Sequence, residues 1–172
     1  MRSVILYIAM SLDGYIADQE GGVDWLAGQE PGSDMPDSYN ALLERIDTVL
    51  LGWNTYRQLT TQLSPEQWPY EGLNCYVFTH RSLPPREGIT FTCTDPCAVV
   101  RELKARPGRD IWLCGGAVLV QALAAADLID RYELTIIPTL LGGGVPLFSL
   151  LERERKLRLL HAGTFNGMAE LI

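Results

Sequence analysis

Three short segments carry residue types suited to holding phosphate. In Ile111-Trp112-Leu113-Cys114-Gly115-Gly116-Ala117, a glycine pair separates an apolar run from an alanine-rich stretch. Two missing Cβ atoms let a phosphate approach the backbone, and a helix starting there presents free N–H groups at its positive end. A tight turn that needs positive φ and binds nothing would read the same way. Val49-Leu50-Leu51-Gly52-Trp53-Asn54-Thr55-Tyr56 repeats the arrangement, with Asn54 or Thr55 as a side-chain cap. Its amides and the Thr55 hydroxyl can meet pyrophosphate oxygens, although an ordinary capped helix has the same pattern. Phe78-Thr79-His80-Arg81-Ser82 ends a third apolar run in a cationic, hydroxyl-rich loop. There Arg81 can pair with a phosphate, and the competing reading is a solvated loop. The three together are more persuasive than any one of them. None is a GxGxxG fingerprint.

Other candidates are weaker. Ser11 and Asp13 follow the first apolar run, where Asp13 can relay a proton or, as Asp-Gly, stabilise a turn. Trp25 and Trp53 can wall a flat heterocycle or serve as partly buried structural residues. Cys75, Cys93, Cys97 and Cys114 lack CxxC spacing, and the two histidines, His80 and His161, lie far apart. No metal site is expected, and scattered cysteines suit reduced thiols in the cytosol.

The elements that must position these groups alternate. Val4–Met10 reads as a strand buried on both faces, and residues 12–36, rich in Gly, Asp and Pro, as a long loop. Helices are expected over Asp37–Ile46, Thr55–Gln62, Pro96–Arg106 (capped by Thr94 or Asp95) and Ala117–Ala126. Strands are expected at Thr48–Leu51, Cys75–Thr79, Thr90–Cys93, Ile111–Cys114, Tyr132–Pro138, Lys156–Ala162 and Ala169–Ile172. Such alternation predicts βαβ units, a mostly parallel sheet, and an antiparallel C-terminal hairpin turning near Gly163 to Gly167. Ligands of such sheets sit beyond the carboxyl ends of strands, where the three candidate turns fall.

The chain has 172 residues, 47% hydrophobic and 20% charged, with formal net charge −7. This is the composition of one globular domain, residues 1–172, without repeats or a linker. An acidic surface repels phosphate backbones, so nucleic acid and anionic membranes are not expected partners. The apolar run after Met1 is too short to span a bilayer and has no cleavage pattern, which makes cytoplasmic residence the expectation.

Ile8-Ala9-Met10-Ser11-Leu12-Asp13-Gly14-Tyr15-Ile16-Ala17 resembles the first strand and following loop of the dihydrofolate-reductase superfamily. It is most similar to the branch containing the C-terminal reductase domain of bifunctional riboflavin-biosynthesis proteins. The Gly52 turn, the Gly115-Gly116 turn and Ile137-Pro138-Thr139-Leu140-Leu141-Gly142-Gly143-Gly144-Val145-Pro146-Leu147-Phe148 match that branch in order, over nearly the whole chain. The resemblance implies a three-layer α/β fold with helices on both faces of the sheet, and NADPH as cofactor. It implies that backbone groups of Ala9 and Ile16 meet the nicotinamide carboxamide. Gly52, Trp53, Asn54 and Thr55 would lie at the pyrophosphate, and Thr79, His80 and Arg81 at the adenosine 2′-phosphate. Cys114, Gly115 and Gly116, with Ala117, Val118 and Leu119 opening the next helix, would form the second phosphate-side turn, which commonly contains a cis peptide.

The sequence departs from the superfamily in places. Trp53 stands where dihydrofolate reductases commonly carry Arg, leaving Arg81 or Arg57 to select the 2′-phosphate. The carboxylate that those enzymes place on the first helix has no clear counterpart among Asp34, Asp37 and Glu44. The proton donor is therefore Asp13, Asp34, Asp37 or none of them. Signatures of a zinc deaminase are missing, and Arg45 is the only cation between residues 12 and 47. The expected activity is NADPH-dependent reduction of a small heterocycle, resembling 5-amino-6-(5-phosphoribosylamino)uracil reductase. A pterin or dihydrofolate-type reductase and a nucleotide-binding protein without turnover are the alternatives. Leu140, Leu141, Leu147 and Phe148 flank a glycine triplet, and their burial in a homodimer is expected.

Overall fold

The computed structural model describes residues 1–27, 37–149 and 151–172. Its centre is an eight-stranded sheet with β1 (Val4–Ser11) in the middle. One side of β1 carries β6 (Asp110–Gly115), β3 (Ile46–Gly52), β4 (Asn74–Phe78) and β5 (Ile89–Thr92) in that order, all parallel. On the other side β7 (Arg131–Ile137) is parallel to β1, followed by antiparallel β10 (Met168–Leu171) and edge strand β9 (Ala162–Phe165).

Period-two alternation sorts the central strands onto two cores. Val4 and Leu6 of β1, Leu50 of β3 and Leu113 of β6 pack with Val100 and Leu103 of α3 (Pro96–Ala105) and Val120 and Leu123 of α4 (Ala117–Ala125). On the opposite face Ile5, Val49, Leu51 and Trp112 join Leu42 of α1 (Asp37–Arg45), with Trp68 and Tyr70. Asp95 caps α3 by accepting from the Cys97 and Ala98 amides, which decides between the two expected caps.

Several expectations need correction. α2 (Trp53–Gln58) starts two residues before Thr55, with Gly52 as N-cap and no side-chain cap from Asn54 or Thr55; a π turn, Leu59–Leu63, continues it. Residues 156–160 do not form a strand. The hairpin turns at Asn166-Gly167, both with positive φ, a two-residue geometry that opposes Phe165 to Met168 and sets the register. That register brings only Ala162–Phe165 alongside β10, and Leu157, Leu159 and Leu160 remain exposed. Within the loop after β1, β2 (Tyr15–Ala17) pairs with β8 (Val145–Pro146), and Asp24–Leu26 forms a 3₁₀ turn.

The glycine triplet explains this pairing. A Cβ at Gly144 would lie 2.1 Å from the Ala17 carbonyl oxygen, so only glycine allows the two segments to meet. Leu147 is fully buried within the chain and Leu141 partly so, whereas Leu140 and Phe148 are exposed. The apolar residues of this segment therefore divide between the chain's own core and its surface. No helix among the described residues is long and apolar enough to cross a membrane.

Candidate nucleotide-binding site

β4, β3, β6 and β1 are adjacent and parallel, so their carboxyl ends form one rim. A groove of about 1180 Å³ runs along it. Fourteen of the residues expected at the cofactor line this groove: Ala9 and Ile16, Gly52 to Thr55, Thr79 and His80, and Cys114 to Leu119. Arg81 stands at its margin, with the guanidinium 4.9 Å above the ring of Trp53. Thr79 shapes this corner, since its hydroxyl accepts from the Arg81 amide at 3.1 Å.

The two glycine turns lie back to back. A Cβ on Gly52 would come within 3.2 Å of the Gly116 nitrogen, and one on Gly116 within 3.3 Å of Thr55 Oγ1. Gly115 has φ +131°, and the Gly115–Gly116 peptide is cis. Gly116 is the N-cap of α4, as Gly52 is of α2, and neither helix start has a side-chain cap. Two uncapped helix starts thus point amide donors and positive partial charge into one groove, which suits a pyrophosphate. The residues present fit a dinucleotide on this observation alone.

Ser11 and Asp13 are not in the groove lining. Ser11 is fully buried; its hydroxyl donates to Asp13 Oδ1 at 2.6 Å and accepts from the Tyr15 amide. Asp13 also accepts from the Leu141 amide at 3.1 Å and the Gly142 amide at 2.8 Å. The Ser11 hydroxyl foremost, with these amides, holds the Asp13 carboxyl below the usual carboxylate range. A carboxyl so held is ionised at neutral pH, which suits an anchor between β1 and the segment after β7. Asp34 lies outside the described residues, as does the side chain of Asp37.

Trp25 does not line the groove; its indole donates to the Gly22 carbonyl at 3.2 Å, inside the loop that does. Gln58 of α2 reaches across to that loop and donates to the Gly21 carbonyl at 3.2 Å. Sequence reasoning missed Tyr70 and the helix face of Gln58 and Gln62, all groove residues. Tyr70 lies outside regular elements, and nothing in its local sequence marks it. Its hydroxyl is 3.6 Å from Cys114 Sγ, and burial pushes the Cys114 thiol up to about 12, leaving a neutral thiol at the groove. Among the described residues no cluster of His, Cys, Asp and Glu could hold a metal ion.

Sheet order, helix layers and a cleft at the carboxyl ends define a dihydrofolate-reductase-like α/β protein. The chain belongs to the RibD C-terminal domain family, whose model matches residues 2–168. It is 40% identical over 171 residues to the uncharacterized protein YwjB of Bacillus subtilis (strain 168), covering 99% of this chain and 96% of that one. A solved structure from Shewanella sp. PV-4, provisionally assigned to riboflavin biosynthesis, is 30% identical with TM-score 0.82, covering 98% of this chain and 96% of that one. Dihydrofolate reductase from Enterococcus faecalis, solved in complex with NADP(H), shares the fold at TM-score 0.64 and 17% identity, covering 98% and 92% of the two chains. Family and fold together support a reductase-like role.

Proposed function

We propose that this protein is an NADPH-dependent reductase of a small nitrogen heterocycle, with a reaction of the type performed by 5-amino-6-(5-phosphoribosylamino)uracil reductase. The observation that carries this is the convergence of two uncapped, glycine-led helix starts on one groove, beside Ala9 and Ile16. When bound, NADPH supplies the hydride, delivered to an electron-poor carbon such as that of a C=N bond. The chain's own part is positioning. The turns at Gly52 and Gly115-Gly116 hold the pyrophosphate, Thr79, His80 and Arg81 hold the adenosine phosphate, and Ala9 and Ile16 fix the nicotinamide. The loop bearing Ile16, Val23 and Leu26, tied to α2 through Gln58, excludes water from the reacting face. Asp13 and Ser11 keep that loop in register, and the proton that completes reduction comes from solvent.

The same proposal includes cytoplasmic residence and a homodimer. Leu140, Phe148, Leu157, Leu159 and Leu160 are exposed and are the residues that a second copy would cover. Sedimentation equilibrium tests that part, and a monomer at all concentrations would overturn it.

Titration with NADPH and NADH, read by energy transfer from the four tryptophans, tests the cofactor site. We expect micromolar NADPH binding, weakened about tenfold by Arg81→Ala, a loss of about 1.4 kcal/mol. Failure of both nucleotides to bind at hundreds of micromolar would overturn the reductase reading. Binding without NADPH oxidation across a heterocycle panel would favour a nucleotide-binding protein without turnover.

A further inference from the structure

Part of the groove is not taken up by the residues expected at the dinucleotide. Leu26 of the loop after β1, Gln58, Leu59, Gln62 and Leu63 of α2 and its π turn, and Tyr70 line it. Leu59, Tyr70 and Cys114 pack with the α1-side core, whereas Ile16, Phe78 and Leu119 pack with the α4-side core. This part of the groove therefore lies on the α1 side of the rim, next to the Cys114-Gly115 turn.

The π turn follows from its own sequence. The Thr60 hydroxyl donates to the Tyr56 carbonyl at 3.0 Å and the Thr61 hydroxyl to the Arg57 carbonyl at 2.8 Å. Such back-bonding from Thr competes with the regular helical ladder. The Ser64 amide then reaches five positions back, to the Leu59 carbonyl at 2.8 Å. Single π turns recur at functional sites, and this one supplies Leu59, Gln62 and Leu63 to the groove. Leu63 is 57% exposed, an apolar wall beside open space.

Two carboxamides four positions apart line this space. Gln58 Nε2 is committed to the Gly21 carbonyl at 3.2 Å, which fixes the amide plane and leaves Oε1 to accept. Gln62 has no hydrogen-bond partner among the described residues. Deeper in, nothing is charged: the buried Tyr70 hydroxyl and the Cys114 thiol, 3.6 Å apart, both keep their protons. The charged lining residues on either side, Glu20 and Arg57, are exposed. A carboxamide sets a donor beside an acceptor, the complement of an N–H beside a C=O, and a neutral floor disfavours a charged ring.

Resting on the reductase reading above, we propose that Gln62, assisted by Gln58, determines substrate specificity by pairing its carboxamide with a lactam edge on an uncharged ring. The ring lies among the apolar side chains of Leu26, Leu59 and Leu63, and Gln58 Oε1 accepts from a further N–H. The bond to Gly21 sets Gln58 before the substrate arrives, so little side-chain freedom is lost on binding. A ring with its N–H groups alkylated leaves the Gln62 carbonyl oxygen unmet, which costs affinity.

The test uses the full chain with NADPH bound, after NADPH affinity has been measured separately. Two probes are titrated by calorimetry: quinazoline-2,4-dione, with two lactam edges, and its 1,3-dimethyl derivative, which keeps the carbonyls and lacks both N–H groups. We expect the dione to bind at least tenfold more tightly than the dimethyl compound. Gln62→Leu should bring the two within threefold of each other and leave NADPH affinity within twofold. Equal affinities on the unaltered chain, a tenfold preference that survives in Gln62→Leu, or binding of neither probe each overturns the proposal. The comparison of the two probes on the unaltered chain holds even if the Leu variant folds poorly. Failure of NADPH to bind would instead count against the reductase reading, and the same two titrations on the nucleotide-free chain would still decide the role of Gln62.

Discussion

Gly52 and Gly116 face each other across the two turns, and the side of the contact decides what a methyl group does there. At Gly52 an added Cβ meets backbone, the Gly116 nitrogen at 3.2 Å; at Gly116 it meets the Thr55 hydroxyl at 3.3 Å. Backbone cannot step aside, whereas a hydroxyl can rotate. We therefore expect Gly52→Ala to spread the turns and weaken NADPH at least tenfold, with Gly116→Ala costing less than Gly52→Ala. Titration of both variants checks this, and equal losses would show that the turns do not act through their separation. These glycines were legible in the sequence as turns between a buried strand and a helix, a pattern that a turn binding nothing shares. Tyr70 was not, since only long-range packing against Trp112 brings it to the groove. Arg81 was legible as a cation, but its seat on Trp53 depends on two elements 28 positions apart that only the parallel pairing of β3 and β4 brings together.

At the scale of elements, the loop after β1 is held by one carboxylate. Asp13 collects the Ser11 hydroxyl and the Leu141 and Gly142 amides, linking β1 to the segment that supplies β8. Asp13→Asn removes the charge and one acceptor. We expect faster hydrogen exchange at the Leu141 and Gly142 amides, with NADPH affinity kept within threefold. A fall in turnover larger than the change in affinity and exchange would point to proton transfer instead. The pH sign follows from the lowered carboxyl: the anchor is fully present above the unfolded value of about 4 and is lost as pH falls through the folded value. Amide protection at these positions should therefore persist at pH 4 and disappear on further acidification. The central strands were readable because apolar runs buried on both faces have few alternatives. Residues 156–161 were misread because alternation alone does not supply a partner strand, and the Asn166-Gly167 turn leaves room opposite β10 only for Ala162–Phe165.

For the whole molecule, the α1 face of the sheet concentrates groups that hold their protons when folded. Burial raises the Tyr70, Tyr7 and Tyr39 hydroxyls, pushes the Cys75 thiol to about 11 and the Cys114 thiol to about 12. In the unfolded chain, thiols release their protons near 8.5 and phenols near 10. Between those values and the folded ones, the unfolded state binds fewer protons, so stability falls as pH rises. The stabilisation is complete below about pH 8.5 and is progressively lost toward pH 12. Urea unfolding midpoints measured at steps from pH 8 to 11 should decline steadily, and Cys75→Val should flatten the slope because it removes one of the retained protons without opening a cavity. The net charge of −7 adds self-repulsion that grows over the same range, so the variant comparison, made at equal ionic strength, separates the two contributions. An unchanged slope in Cys75→Val would assign the alkaline loss to surface repulsion and to the tyrosines alone.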